Sequence, residues 1–220
     1  MSILKKLSLT LVAVCALTLS AQSFAQEAPD VLIKRISEDV MNVAKTDKDV
    51  QSGNSRRIQQ VVDERILPYV DFQRMTSLVA GRYWREATPD QQKRLTDEFR
   101  SLLMYTYSGA IAQVRDQKIE YRPLRADPSD REVVVNTQVI QPRAEPIQLS
   151  YRLEKTPSGW KIFDMNVLGA WLVETYKGSF AAEIGKSGVD GLIKTLSDKN
   201  KKLAGAIAKT GKAPAPAAAK

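Results

Sequence analysis

Hydrophobic and polar residues alternate along positions 147–154 of the chain. One side of this segment holds Ile147, Leu149, Tyr151 and Leu153, and the other holds Gln148, Ser150, Arg152 and Glu154. A period of two predicts a half-buried antiparallel strand. The turn-forming residues 156–159 and the apolar segment 160–167 predict that the chain reverses and returns as a paired strand.

The apolar spacing changes after Gly169. Leu172, Tyr176 and Phe180 recur at helical spacing, with Trp171 beside them. A strand therefore leads directly into an amphipathic helix. If the sheet is curved and helices cover its apolar face, this junction lines whatever the protein encloses.

Three amphipathic helices are predicted in the first 80 residues. Pro29 opens the first helix, and the polar segment 51–54 interrupts it. Pro68 ends the second helix, and Asp71 caps the third. Their apolar stripes are Val31, Leu32, Ile36, Val40 and Val43; Ile58, Val61, Val62, Ile66 and Leu67; and Phe72, Met75, Leu78 and Val79.

A longer helix is predicted from Thr88 to about Arg115. Thr88 at the cap, Pro89 at the first helical position and Gln91 at the third form a strong start signal. An arc of roughly 140°, at 100° per residue, contains Leu95, Phe99, Leu102, Leu103, Thr106, Tyr107, Ala110 and Val114. Since further apolar residues fall outside this arc, we expect the helix to pack between two layers.

Four strands are predicted after this helix, at about 118–124, 132–140, 146–155 and 159–168. Short turns between consecutive strands indicate an antiparallel meander. A final helix begins at residues 187–190. The order predicts an α+β fold, in which a curved four-stranded antiparallel meander is packed with helices into a cone that is either filled or hollow.

The N-terminus has the features of a secretory signal peptide. Two lysines precede an apolar run of 13 residues, 7–19, and small residues precede a cleavage site after Ala25. The run is shorter than the ~20 residues of a membrane span. Val14 before Cys15 argues against lipoprotein processing. We therefore predict a signal peptide at 1–25, one domain at 26–208 and a disordered Ala/Pro/Lys tail at 209–220.

The amino-acid composition of the mature chain excludes several kinds of chemical site. Cleavage removes the single cysteine, and the chain has no histidine. Disulfides, zinc sites and Cys or His nucleophiles are thereby excluded. Loss of Lys5 and Lys6 lowers the formal net charge from +8 to +6. This charge fits anionic lipid head groups or acidic partners, and it fits a solvated lysine-rich surface equally well.

Few residues suit catalysis, and no enzyme, cofactor or metal site is predicted. The sequence lacks a glycine-rich phosphate loop and a G-x-S-x-G motif. The carboxylate pairs at 63–64 and 97–98 diverge by about 100° on their helices and are expected to be solvated. Asp164 alternates onto the strand face of Ile162 and Trp160, and a hydrogen-bonded structural role is favoured over catalysis.

Two arginines flank aromatic residues after the third helix. Arg82 and Arg85 surround Tyr83 and Trp84. Such a pattern suits phosphate contact at a lipid head group or a membrane interface. It also suits a loop whose aromatic side chains dock on the core, and the pattern alone leaves both interpretations open.

The C-terminal half closely resembles the MlaC family of toluene-tolerance, phospholipid-binding periplasmic proteins. The resemblance is carried by WKIFDMNVLGAWLVETY at 160–176 and GVDGLI at 188–193, and it covers most of the mature chain. The long helix also looks like the family's, through Phe99, Leu102, Leu103, Thr106 and Tyr107.

This resemblance implies a nuclear-transport-factor-like cone with a helical subdomain that encloses the acyl chains of a diacyl phospholipid. It further implies a monomeric periplasmic shuttle that binds no nucleic acid. Its partners would be an outer-membrane lipoprotein–porin complex and the inner-membrane MCE-domain protein of an ABC transporter. The implied function is to maintain the lipid asymmetry of the outer membrane.

The expected lining of the acyl-chain cavity combines this resemblance with the apolar pattern. It consists of Leu78, Phe99, Leu103, Tyr107, Val135, Leu149, Tyr151, Met165, Val167, Ala170 and Trp171. Arg82 and Arg85 are candidate head-group contacts. Two other classes stay open: a periplasmic chaperone or adaptor that binds apolar peptides, and a small-molecule enzyme, for which Asp164 stands without a histidine partner.

Overall fold

The computed structural model describes residues 26–127, 129–142 and 144–211. The predicted signal peptide at 1–25 and the tail from residue 212 lie outside this part of the chain. The N-terminal half is helical and comprises α1 (Pro29–Thr46), α2 (Lys48–Gln51), α3 (Ser55–Arg65), a 3-10 helix (Leu67–Tyr69), α4 (Phe72–Ala80), α5 (Tyr83–Glu86), α6 (Pro89–Tyr107) and a second 3-10 helix (Ser108–Gln113).

Side-chain caps fix the starts of four of these helices. Asp47 and Asn54 accept hydrogen bonds from backbone N–H groups in the first turns of α2 and α3. Asp71 caps α4 in the same way, at 2.8 Å. Thr88 and Gln91 form a reciprocal capping box at the start of α6, with hydrogen bonds of 3.2 and 2.9 Å. The predicted caps Asp71 and Thr88 are thus confirmed.

The long helix ends earlier than predicted. α6 stops at Tyr107 and continues as the second 3-10 helix, whereas the apolar pattern suggested a helix to about Arg115. Gly109 lies in this segment, and glycine disfavours a continued α-helix by about 1 kcal/mol relative to alanine. The turn directs the chain towards the sheet.

Five antiparallel strands form one sheet in sequence order: β1 (Lys118–Tyr121), β2 (Glu132–Gln141), β3 (Ala144–Thr156), β4 (Gly159–Val167) and β5 (Ala170–Trp171). The α+β class and the predicted meander are confirmed. The two-residue β5 was not predicted, because the helical spacing that follows it dominates the sequence pattern. A register shift between Arg152 and Leu153 places a β-bulge at the paired position in β4.

The C-terminal helix α7 (Leu172–Thr210) follows β5 directly. Gly188 interrupts it with φ 72° and ψ 179°, a conformation that favours glycine, close to the helix start predicted at 187–190. Lys209 and Thr210, the first two residues of the predicted tail, are the last residues of this helix. The Gly211 carbonyl accepts a hydrogen bond from the Ser55 N–H at 3.2 Å, which ties the end of α7 to α3.

Three apolar clusters form the core. The first joins α4, α6 and α7, the second packs α1 on the sheet, and the third joins α1, α3 and the second 3-10 helix. Val70 packs against both the first and the second cluster. Val31 is 50% exposed, whereas its neighbours Leu32 and Ile33 are buried, so the predicted stripe of α1 was wrong at Val31.

Candidate functional site

One face of the sheet collects six of the eleven residues predicted to line an acyl-chain cavity. Residues directly opposite each other in antiparallel strands share a face. The register forms one row of Val135, Tyr151 and Met165 and another of Thr137, Leu149, Val167 and Ala170. Val135 is buried, and the other five predicted residues are half-buried. Burial raises the pKa of Tyr151 above its ordinary value.

Three further predicted residues lie on α6. Phe99 is fully buried, and its ring makes edge-on contacts with Tyr176 and Phe180, both at 5.1 Å between ring centroids. Leu103 is buried, and Tyr107 is half-buried against the same cluster. Burial, followed by the neighbouring Tyr107, raises the pKa of Tyr176. Phe99 is thus a core residue, whereas Tyr107 lies at the edge of the cluster.

Along one face of α6, the side chains change from polar to apolar towards the end of the helix. Thr96, Arg100, Leu103 and Tyr107 lie within an arc of about 60° at 100° per residue. The distance along the helix from Thr96 to Tyr107 is about 16 Å at 1.5 Å per residue. This face therefore carries a charged end and an apolar end.

Trp171 lies on the other face of the sheet. It pairs with Asn166 in the register, one position beyond Ala170. Its ring stacks on the guanidinium of Arg152, with the Arg152 Cζ 3.9 Å from the ring centroid. This position does not support a contact between Trp171 and a ligand on the row of Ala170.

Leu78, Arg82 and Arg85 are not gathered with the sheet residues. Leu78 is 38% exposed on α4 and belongs to none of the three clusters described above. Arg82 stacks on Tyr83 at 4.8 Å from the ring centroid and donates a hydrogen bond of 2.9 Å to its hydroxyl. Arg85 is exposed on α5. Tyr83 and Trp84 pack against the first cluster, as expected for a loop whose aromatic side chains dock on the core, and head-group contact by the arginines stays a prediction.

Asp164 is completely buried. The β-bulge places it opposite Arg152, away from the face of Ile162, so the predicted shared face was wrong. Its carboxylate accepts hydrogen bonds from the N–H groups of Met165 at 2.9 Å and Val173 at 3.1 Å, and pairs with Arg152 at 3.0 Å. Burial raises the pKa of Asp164, and these partners oppose the rise.

A cleft of about 590 Å³ opens beside the charged end of the α6 face. Its lining consists of Asp63, Leu67, Pro68, Val70, Asp71, Phe72, Thr96, Asp97, Arg100 and Lys161. Arg100 pairs with Asp63 at 3.2 Å, and Lys161 donates a hydrogen bond of 2.6 Å to the Pro68 carbonyl. The cleft combines both signs of charge with apolar side chains.

The apolar floor of this cleft touches all three core clusters. Phe72 packs against the first cluster, Leu67 against the third, and Val70 against the first and second. Val70 also forms an isolated bridge with Ile162 on β4. The cleft therefore opens where the clusters meet, at one end of the face that carries Leu103.

The sequence did not predict this cleft, and neither of the two clefts described here is lined by a predicted site residue. A second cleft, of about 320 Å³, is lined by Asp71, Gln73, Arg74, Ser77, Trp84 and Glu154. Arg74 pairs there with Glu154 and stacks on Phe163 at 3.7 Å from the ring centroid. Elements distant in the chain meet at both clefts, which a linear pattern does not reveal.

The described residues contain neither a metal-binding cluster nor a membrane-spanning helix. No group of three or more acidic, histidine or cysteine side chains in this part of the chain is arranged to hold a metal ion. Among the described helices, none has the length and apolar content needed to cross a bilayer.

Comparison with known proteins gives a consistent set of relatives. The toluene tolerance protein ttg2D of Pseudomonas putida is 26% identical over 190 residues, which are 86% of this chain and 86% of that protein. The intermembrane phospholipid transport system binding protein MlaC of Haemophilus influenzae is 23% identical over 181 residues, covering 81% of this chain and 85% of the relative.

A solved structure extends this likeness to three dimensions. The phospholipid-binding protein from Ralstonia solanacearum, solved in complex with a phospholipid, has a TM-score of 0.77 and 44% sequence identity. The match covers 81% of this chain and 99% of that one. The profile of the family described as MlaC protein matches residues 34–198, and the chain therefore belongs to the MlaC family.

Proposed function

We propose that this protein binds a phospholipid and carries it between membranes. The observation that carries the proposal is the 44% identity and shared fold with the Ralstonia protein that was solved with a bound phospholipid. The name of the Haemophilus relative, an intermembrane phospholipid transport system binding protein, supports the same function. Family membership also supports a binding protein without a catalytic site.

The energetics explain why such a carrier is needed. A diacyl lipid with two ~16-carbon chains exposes roughly 30 CH₂ groups when it leaves a bilayer, at ~0.8 kcal/mol each. The total of about 25 kcal/mol makes an unaided crossing of an aqueous compartment prohibitively slow. An enclosed apolar pocket removes most of this cost.

The acyl chains are proposed to lie between the apolar sheet face and the α6 face that carries Leu103 and Tyr107. The two rows that include Tyr151 and Ala170 provide the opposite wall. The apolar part of this α6 face, from Leu103 to Tyr107, is about 6 Å long at 1.5 Å per residue. It therefore contacts only part of an acyl chain, and the sheet rows contact the rest. In this arrangement the sheet and helices form the nuclear-transport-factor-like cone, with the lipid in its cavity.

The protein is proposed to act in the periplasm, between the outer and the inner membrane. The signal peptide at 1–25 would export a domain at 26–208 to the periplasm. The monomer would receive phospholipid from, or deliver it to, an outer-membrane lipoprotein–porin complex and the inner-membrane MCE-domain protein of an ABC transporter. This exchange would maintain the lipid asymmetry of the outer membrane.

The test is to purify the mature protein and extract it with organic solvent for mass spectrometry. We expect about one diacyl phospholipid per chain without added substrate. The delipidated protein should unfold at a lower temperature, because a ligand that binds only the folded state stabilises it. A delipidated protein that binds apolar peptides and takes up no phospholipid would favour the adaptor alternative and contradict the proposal.

A further inference from the structure

The 590 Å³ cleft carries charges of both signs around an apolar floor. Arg100 and Lys161 are its cations, and Asp63, Asp71 and Asp97 are its carboxylates. With every group ionised, these five side chains carry a formal charge of −1. A rim with this composition does not suit a simple anion, because the carboxylates outnumber the cations.

The positions of these charges leave carboxylate oxygens available to a ligand. Asp71 uses one oxygen to cap α4. Asp97 pairs with Lys93 at 2.7 Å in an exposed i,i+4 pair on α6. Arg100 holds one oxygen of Asp63 through a single nitrogen, at 3.2 Å. Since none of these contacts uses both oxygens of a carboxylate in the described structure, each carboxylate keeps capacity to accept a further hydrogen bond.

One face of α6 extends from the cleft to the proposed acyl-chain site. Thr96 and Arg100 form the polar end of the α6 face, and Leu103 and Tyr107 continue this face one and two turns beyond Arg100. A lipid whose chains follow this face has its polar end at the cleft, beside Lys161. The cleft and the apolar part of the face therefore lie along the same side of α6.

We infer that this cleft holds the head group of the lipid and selects a zwitterionic, ammonium-bearing head group over one with net negative charge. The inference rests on the proposed function. The phosphate oxygens accept hydrogen bonds from Arg100 and Lys161. The ammonium donates hydrogen bonds to the carboxylates of Asp97 and Asp63. A lipid without an ammonium keeps the phosphate contacts but meets uncompensated carboxylates.

The expected selectivity is modest because the rim is open to solvent. Arg100 and Asp63 are 42% and 51% exposed, and charges in such positions interact weakly. We expect about a three- to tenfold preference, which should shrink as salt is raised and the Debye length falls to ~3 Å at 1 M. A preference created by acyl-chain packing would not respond to salt in this way.

The test loads delipidated full-length mature protein from vesicles of equimolar phosphatidylethanolamine and phosphatidylglycerol with identical acyl chains. Mass spectrometry of the repurified protein gives the ratio of bound lipids. Asp97→Asn should move this ratio towards one. Asp198→Asn is the matched control, because Asp198 also forms an exposed i,i+4 pair, with Lys194 at 2.5 Å, but lies on α7 outside the cleft lining.

Each outcome has a distinct meaning. A preference for phosphatidylethanolamine that falls with Asp97→Asn and persists with Asp198→Asn supports the inference. Lys161→Met should lower the loading of both lipids, since it removes a phosphate contact. Equal loading of the two lipids by the unaltered protein, or a preference that both Asp variants leave unchanged, overturns the inference while the proposed function stands. Failure to load either lipid overturns the proposed function itself.

Discussion

The carboxylate of Asp164 on β4 accepts a hydrogen bond of 3.1 Å from the backbone N–H of Val173 in the first turn of α7. The first backbone N–H groups of a helix have no partner within the helix. Trp171 occupies the N-cap position of α7 and provides no side-chain hydrogen bond. A residue from the neighbouring strand therefore supplies the cap, which holds α7 against the sheet beside Ala170.

Replacing this carboxylate should destabilise the fold. Asp164→Ala removes the partner of the Val173 N–H and of Arg152, and we expect a loss of about 2–3 kcal/mol in the free energy of unfolding. Asp164→Asn keeps an oxygen acceptor for Val173 and should lose less. Urea denaturation followed by circular dichroism measures both. Asp198→Ala, which removes an exposed ion pair, should change nothing measurable. Equal stability of the two alanine variants would contradict this role.

The same carboxylate should give a distinctive pH dependence. Burial raises the pKa of Asp164 above its ordinary value, so between the unfolded and the folded pKa the folded chain keeps a proton that the unfolded chain releases. Its contribution to stability is complete below the unfolded pKa and is lost as pH rises through the folded pKa. The stability of the unaltered protein relative to Asp164→Asn should therefore be greater at pH 4 than at pH 7.

When the unaltered protein is compared with Asp164→Asn, the contributions of the other carboxyl groups to the pH dependence of stability cancel. The hydrogen bond from Arg35 lowers the pKa of Glu27, for example, and its contribution is instead lost as pH falls. Both proteins contain this pair. Chemical denaturation at the two pH values gives the difference directly. A difference that grows with pH would mean that Arg152 and the backbone donors outweigh burial at Asp164.

Leu168 is expected to be a site where substitution stabilises the protein. It forms the turn between β4 and β5 with Gly169, has φ 55° and is 63% exposed. The left-handed region costs an ordinary L-residue roughly 1–2 kcal/mol, and asparagine followed by glycine adopts this turn readily. Leu168→Asn should raise the free energy of unfolding by about 1 kcal/mol.

The control for this change is an exposed apolar residue in a regular strand. Val134 on β2 is 42% exposed, and Val134→Asn should lower stability, because asparagine is unfavourable in strands. Thermal unfolding of the two variants separates relief of backbone strain from simple removal of apolar surface. A Leu168→Asn variant that is less stable than the unaltered protein would show that the leucine side chain makes a compensating contact.

Local signals were sufficient to predict much of this fold. The capping box at Thr88 fixes the start of α6 from residues three positions apart, and alternation from Ile147 fixes the face of β3. Both depend on neighbouring residues only. The helix break near Gly188 was predictable for the same reason.

Two features were not predictable: the sheet face on which a residue lies after a β-bulge, and contacts between elements distant in the chain. The β-bulge shifts Asp164 to the face opposite Ile162, and alternation alone cannot reveal an inserted residue. The two-residue turn then pairs Ala170 with Val167, so that Trp171 points to the other face. The 590 Å³ cleft brings Asp63 and Lys161 together from elements far apart in the chain, a juxtaposition that no local pattern contains.

A charge introduced into the proposed acyl-chain cavity should have a different effect from a charge introduced into a filled core. Ala170 and Tyr107 are half-buried, on the two walls proposed to enclose the acyl chains. A carboxylate against hydrocarbon is costly, so Ala170→Glu and Tyr107→Glu should expel the lipid. The emptied cavity can admit water, so the fold should survive. We expect near-native far-UV circular dichroism and no phospholipid by mass spectrometry.

Two controls define the alternatives. Phe99 is fully buried among the rings of Tyr176 and Phe180, so Phe99→Glu has no access to water and should unfold the domain. Asn136 is exposed on the opposite sheet face, in the row of Trp171, and Asn136→Glu should keep both fold and lipid. If Ala170→Glu unfolds as Phe99→Glu does, the sheet face is part of a filled core. If it retains full lipid occupancy, as Asn136→Glu should, the acyl chains lie elsewhere.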